Sequence, residues 1–110
     1  MESLTVIAFA NTTGIGAVSE ATAASGAPSA ALTTTSPNSW VFAVGNDWDN
    51  PLARTPGPNQ TIVSQVIDNA GDTYWVQSQT AITPLSGTSV IINDAAPTSD
   101  RWNLTEIEIL

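Results

Sequence analysis

Cysteine, histidine and lysine are absent from this chain, and Arg54 and Arg101 are its only cations. Without cysteine it has no disulfide, thiol nucleophile or thiolate zinc site. Without histidine it lacks the side chain that most often binds metals and moves protons near neutral pH. Ser-His-Asp and Cys-His triads are therefore excluded. Ten carboxylates against two arginines leave a formal charge of −8. Nucleic acids and anionic membrane surfaces, which need clustered cations, are disfavoured as partners. No apolar run approaches the ~20 residues of a membrane-spanning helix, and no membrane insertion is expected. Helix signals are equally scarce, since no window keeps an apolar stripe at helical spacing over several turns.

What is present is a β-rich balance: 42% hydrophobic and 11% charged residues, with Thr, Ser, Ala, Asn and Gly making up much of the rest. A chain of 110 residues accommodates one small domain, so 1–110 is read as a single unit. Seven to eight short β-rich runs, separated by Gly, Pro, Asn and Asp clusters, predict an all-β antiparallel sandwich, Ig-like or jelly-roll. The runs are "LTVIAFA" from Leu4, "GAVSEATA", "SAALTTT", "SWVFAVG", "QTIVSQVI", "TYWVQSQT", "GTSVIIN" and "RWNLTEIEIL". "SWVFAVG" is apolar on both faces and reads as a central strand covered on both sides. The turn "DNAGD" makes "QTIVSQVI" and "TYWVQSQT" a hairpin. In the last strand Thr105, Ile107 and Ile109 alternate with Leu104, Glu106 and Glu108, so one face is buried and the other largely wet. The proline-rich segment from Asn50 to Gln60 is a loop or an edge crossing.

The stretches "SWVFAVGNDWDN", "GDTYWVQ" and "PLSGTSVIINDAAPTSDRWNL" resemble a β-sandwich module repeated in large secreted bacterial adhesin-like proteins, a companion of fibronectin-III and Ig-like domains. The resemblance runs from about Leu4 to the C-terminus. It implies an extracellular or cell-surface location and a structural, adhesive or carbohydrate-binding role without catalysis. Those modules are longer at the N-terminus, so the sandwich is expected to lack N-terminal strands. That motivates a second reading, an incomplete sandwich that accepts a strand or peptide from a partner chain. Without lysine no internal isopeptide bond can form, but a partner lysine could join a buried carboxylate here, as in catcher and tag pairs.

Several residues offer chemistry. Asp47 and Asp49 with Asn46 and Asn50, in "GNDWDN", present oxygens suited to calcium, while the same residue types also favour turns by bonding nearby backbone. No other cofactor is expected. Asp47 with Asp49, or Asp94 with Asp100, supplies the residue types of a glycosidase, but ten carboxylates on a small domain produce such pairs by accident. The chain is accordingly read as not an enzyme. Arg101 is expected to hold a carboxylate and tie down the "NDAAPTSD" loop. Trp40 and one of Tyr74 and Trp75 are expected in the core, the other of that neighbouring pair lying on the opposite face. Trp48 and Tyr74 are the candidate ligand contacts, Trp48 either reaching a ligand or folding back as a lid. Asn11, Asn59 and Asn103 each begin an Asn-x-Thr sequence, to which a Thr-rich chain gives no weight. The partners these features fit are another protein chain or a cell-surface glycan.

Overall fold

The computed structural model describes residues 2–110. Eight strands follow in order: β1 (Ile15–Ala23), β2 (Ser29–Thr33), β3 (Trp40–Asp47), β4 (Thr55–Pro56), β5 (Gln60–Ile67), β6 (Thr73–Gln79), β7 (Ser89–Ala96) and β8 (Trp102–Ile109). They form a five-stranded sheet in the order β1-β8-β3-β6-β5 and a three-stranded sheet in the order β2-β7-β4, all pairs antiparallel. The nested pairing of β1 with β8, β2 with β7 and β3 with β6 is how a jelly roll wraps. Among the described residues no helix is long and apolar enough to cross a membrane.

The core lies between the sheets. Ala30, Leu32, Val90 and Ile92 come from the smaller sheet and meet Val41, Ala43, Trp75, Trp102 and Leu104 of the larger one. Burying a Leu- or Ile-sized side chain contributes about 1.5–3 kcal/mol, so this cluster is the main apolar driving force. Trp75 sets its width: it lies across Gly45, its cross-strand partner on β3, where an added Cβ would overlap the indole.

The β5–β6 hairpin forms as its turn chemistry requires. Asp68 Oδ1 accepts the N–H groups of Ala70, Gly71 and Asp72 at 2.8–3.0 Å, closing the "DNAGD" turn. The proline-rich Asn50–Gln60 segment contributes only the two-residue β4, at the edge of the smaller sheet. Proline there removes the donor that a longer ladder would need.

Two expectations are corrected. Leu4–Ala10 has the composition of a strand but pairs with none among the described residues. The chain reverses at Asn11 (φ 58°), ties Thr13 N–H to Leu110 O at 2.8 Å and begins its first strand at Ile15. Leu4–Ala10 lies instead over the outer face of the five-stranded sheet, Phe9 meeting Phe42 edge-on at 5.1 Å. Trp40 is not in the core. The alternation of β3 turns Val41, Ala43, Gly45 and Asp47 inward and Trp40 outward beside Phe42; Trp102 takes the core position. β3 is nonetheless the central strand of its sheet, with its outer face partly covered by the N-terminal arm.

Gly45→Ala is expected to lower the unfolding free energy by about 2 kcal/mol, because the added methyl group forces Trp75 out of its packed position. Urea denaturation followed by tryptophan fluorescence measures this; an unchanged midpoint contradicts the packing described.

Candidate functional site

The loop after β3 folds around Asp47. This side chain is fully buried, and its Oδ1 accepts the N–H of Asp49 at 2.7 Å and of Asn50 at 3.4 Å. Its Oδ2 receives Arg54 Nη2 in the one salt bridge among the described residues. The Arg54 guanidinium lies 4.7 Å from the Trp75 ring centroid, a cation–π contact at the end of the core. Asp49 Oδ2 accepts Arg101 N–H at 2.8 Å, and Asn50 Nδ2 donates to Asp100 Oδ1 at 2.8 Å. Asn46 lies on the opposite sheet face from Asp47 and donates to Thr73 O at 3.4 Å. The four residues of the calcium reading are thus aimed at different partners. Among the described residues no group of three or more metal-ligating side chains converges.

Arg101 departs from expectation. Its backbone, not its guanidinium, meets a carboxylate, and the guanidinium lies 5.9 Å from the ring of half-exposed Trp48. The paired cation is Arg54, which came from a loop whose sequence carried no sign of it.

The outer face of the five-stranded sheet gathers a polar row. Register places Asn103 of β8 opposite Asn46 of β3, and Asn46 opposite Tyr74 of β6. One step along, Thr105 meets Val44 and Val44 meets Val76. With Ser3, Leu4 and Thr5 of the arm along one side, these residues line a cleft of about 420 Å³. The Tyr74 hydroxyl donates to Asp72 Oδ2 at 3.0 Å, and its pKa is raised, first by burial and then by that carboxylate. Tyr74 therefore stays neutral, and the row carries amides, hydroxyls and one ring but no charge. Trp75 faces the core while Tyr74 faces this cleft, the opposite orientation expected of strand neighbours. Trp48 does not line it.

The inner face holds carboxylates that residue type alone assigns to water. In β8 the buried set is Trp102, Leu104, Glu106 and Glu108, both glutamates fully enclosed. Burial works against the Glu108 charge. The Ser39 hydroxyl, the Ala17 N–H and the hydroxyl and N–H of Thr35 outweigh it, with Ser36 N–H also in range, and hold its pKa down to about 2. Among the described residues Glu106 accepts only Ile92 N–H, at 2.7 Å, leaving Oε2 buried without a partner; burial pushes its pKa up to about 7. Asp94, buried with neither oxygen hydrogen-bonded among the described residues, is likewise pushed up to about 7 by burial, against the pull of Arg54 and Gln77. The period-two alternation showed that Glu106 and Glu108 share a face with Leu104, and this was the available sign that the pair turns inward.

Comparison with protein-family models, curated proteins and solved structures finds no match.

The pKa shifts give stability a bell-shaped pH dependence. Glu108 is depressed below its ordinary 4.5, so its contribution is complete above that value and lost as pH falls through about 2. Glu106 and Asp94 are raised above their ordinary 4.5 and 3.8, so theirs is complete at acidic pH and lost as pH rises through about 7. The melting temperature should therefore peak near pH ~4.5 and decline toward pH ~8. Glu106→Gln keeps an acceptor for Ile92 N–H and flattens the alkaline limb. Glu108→Ala orphans several donors and costs at least about 3 kcal/mol at pH 6. Calorimetry across the range checks all three; a melting temperature rising steadily to pH 8 contradicts the burial of Glu106 and Asp94.

Proposed function

We propose that this is a non-catalytic adhesive module of the cell exterior that binds a neutral, hydroxyl-rich ligand, a saccharide, on the outer face of its five-stranded sheet. The row Asn103, Asn46, Tyr74, brought into register across three strands beside a cleft of about 420 Å³, carries this reading. Amide and hydroxyl groups match sugar hydroxyls as donors and acceptors, and an aromatic ring beside them offers an apolar face for a pyranose. The bonds from Asn46 Nδ2 to Asp47 O and Thr73 O are long, at 3.4 Å, so a ligand oxygen replaces them at little loss. A chain of net charge −8 with no charge in this row disfavours anionic ligands. No part of the row provides a nucleophile paired with a base, which is why binding without turnover is the reading.

Within the same proposal the Gly45–Asn50 stretch is the end of β3 and a turn held by its own hydrogen bonds, not a calcium site, because Asp47 is engaged by Arg54 and by the loop backbone.

Titration calorimetry or array binding against a panel of neutral oligosaccharides tests the binding site. Tyr74→Ala and Asn46→Ala are each expected to weaken binding about tenfold or more, near 1.4 kcal/mol, while Trp48→Ala leaves it within about twofold. Silence across the panel, or full affinity in Tyr74→Ala, contradicts the assignment. Melting temperatures in excess chelator and in millimolar Ca²⁺ are expected to coincide; a rise with Ca²⁺ overturns the reading of the loop, since a ligand of the native state raises stability.

A further inference from the structure

On the side facing away from β2, β7 is paired only near its end, where Thr55 and Pro56 of β4 meet Ala96 and Asp94. The hydrogen bonds from Thr34 N–H to Thr88 O and from Asp94 N–H to Pro28 O turn backbone groups of Thr88 and Asp94 toward β2, while the N–H of Ile92 between them meets Glu106. Because an antiparallel ladder alternates, Ser89, Ile91 and Asn93 turn theirs the other way. Asn93 is provided for: its carbonyl accepts from Gly57 N–H at 2.7 Å and Gln77 Nε2 at 2.8 Å, and its N–H donates to Gln60 Oε1 at 2.9 Å. Beside Ser89 and Ile91 there is no strand among the described residues. They border a groove of about 320 Å³ lined also by Gln60, Gln79, Ile82 and Pro84. An open edge of this kind is a template for one more strand.

Charge and pairing narrow the occupant. No charged residue lines the groove, and a chain at −8 repels copies of itself except through uncharged segments. The N-terminal arm is such a segment, with no charge between Glu2 and Glu20. It is β-branched and aromatic, runs without a ladder partner, and leaves Leu4 and Val6 88% and 82% exposed. From its anchor at Thr13 a fully extended arm back to Leu4 reaches roughly 30 Å. That exceeds the two shorter extents of the domain, 25 and 19 Å.

We propose that the open β7 edge receives the Leu4–Ala10 arm of a second copy of this chain as an added strand, bonded through the main-chain groups of Ser89 and Ile91. Among the described residues each copy thus holds one β-prone arm without a ladder partner and one open stretch of edge, and association satisfies both. Moving the arm takes Leu4 and Thr5 from one side of the cleft but leaves the row Asn103, Asn46 and Tyr74 in place, and association is read without sugar, so its failure is distinguishable from failure of saccharide binding.

The absence of cysteine makes the contact directly measurable. Val6→Cys and Ile91→Cys variants, mixed under mild oxidation, are expected to give a disulfide-linked dimer. The pair Val6→Cys and Val18→Cys, with Val18 exposed on β1, should give about tenfold less. In sedimentation, the natural chain should associate with rising concentration, and Val6→Asp should weaken that association about tenfold or more. Association that Val6→Asp leaves unchanged overturns the proposal. So does a chain monomeric to about millimolar concentration with no Val6–Ile91 product above control, or a double variant that closes its disulfide within one chain.

Discussion

The carboxylate of Glu108 is the junction on which the rest of the sandwich depends. It projects inward from β8 and collects donors from β1 and from the loop joining β2 to β3, so that one side chain ties the larger sheet to the connection that crosses to the smaller one. A buried carboxylate with so many donors remains charged because hydrogen bonds to the ionised form outweigh its desolvation. The requirement reaches into the sequence of the neighbouring strand. Gly16 has no side chain because a Cβ there would overlap the Glu108 carboxylate, and the β1–β8 register is irregular between Ile15 and Val18.

Two other inward carboxylates, Glu106 and Asp94, have the opposite balance. Each is buried without enough donors, so each favours the neutral form. The interior is therefore apolar along its middle, charged at Glu108 and at the Asp47–Arg54 pair, and poorly compensated between. The uncharged polar row proposed to bind saccharide lies on the outside of the larger sheet. There the strands of the cross-strand row are packed from behind by Trp75 and Leu104. Side chains on central strands are better positioned for the proposed binding than those of the loop around Trp48, whose one ring contact among the described residues is with Arg101.

The strands themselves were legible from the residues. Alternation, β-branched runs and turn clusters located β1 to β3 and β5 to β8, and the hairpin turn at Asp68 formed as its composition implied. Misread were features decided by non-local pairing. Leu4–Ala10 has the local preferences of a strand, but strand formation needs a free edge, and the outer face it covers offers none. The alternation of β3 defined two faces without saying which met the other sheet, so Trp40 went outward while Val41 and Ala43 filled the core. In β8 the same ambiguity hid two buried glutamates, because their donors lie on segments distant in sequence. Of the candidate contacts, Tyr74 and Asn46 come together across β3 and β6, and Asn103 joins them from β8, a residue noted in the sequence only as part of an Asn-x-Thr triplet. Trp48 stands apart from that row.

The central claim is that the last strand turns its glutamates inward, one held as an anion and one driven toward neutrality. Carboxyl-carbon NMR titration of the two side chains tests it most directly. The account predicts that Glu108 titrates near 2 and Glu106 near 7. Two curves superimposed near the ordinary value of 4.5 would place both carboxylates in water and contradict it.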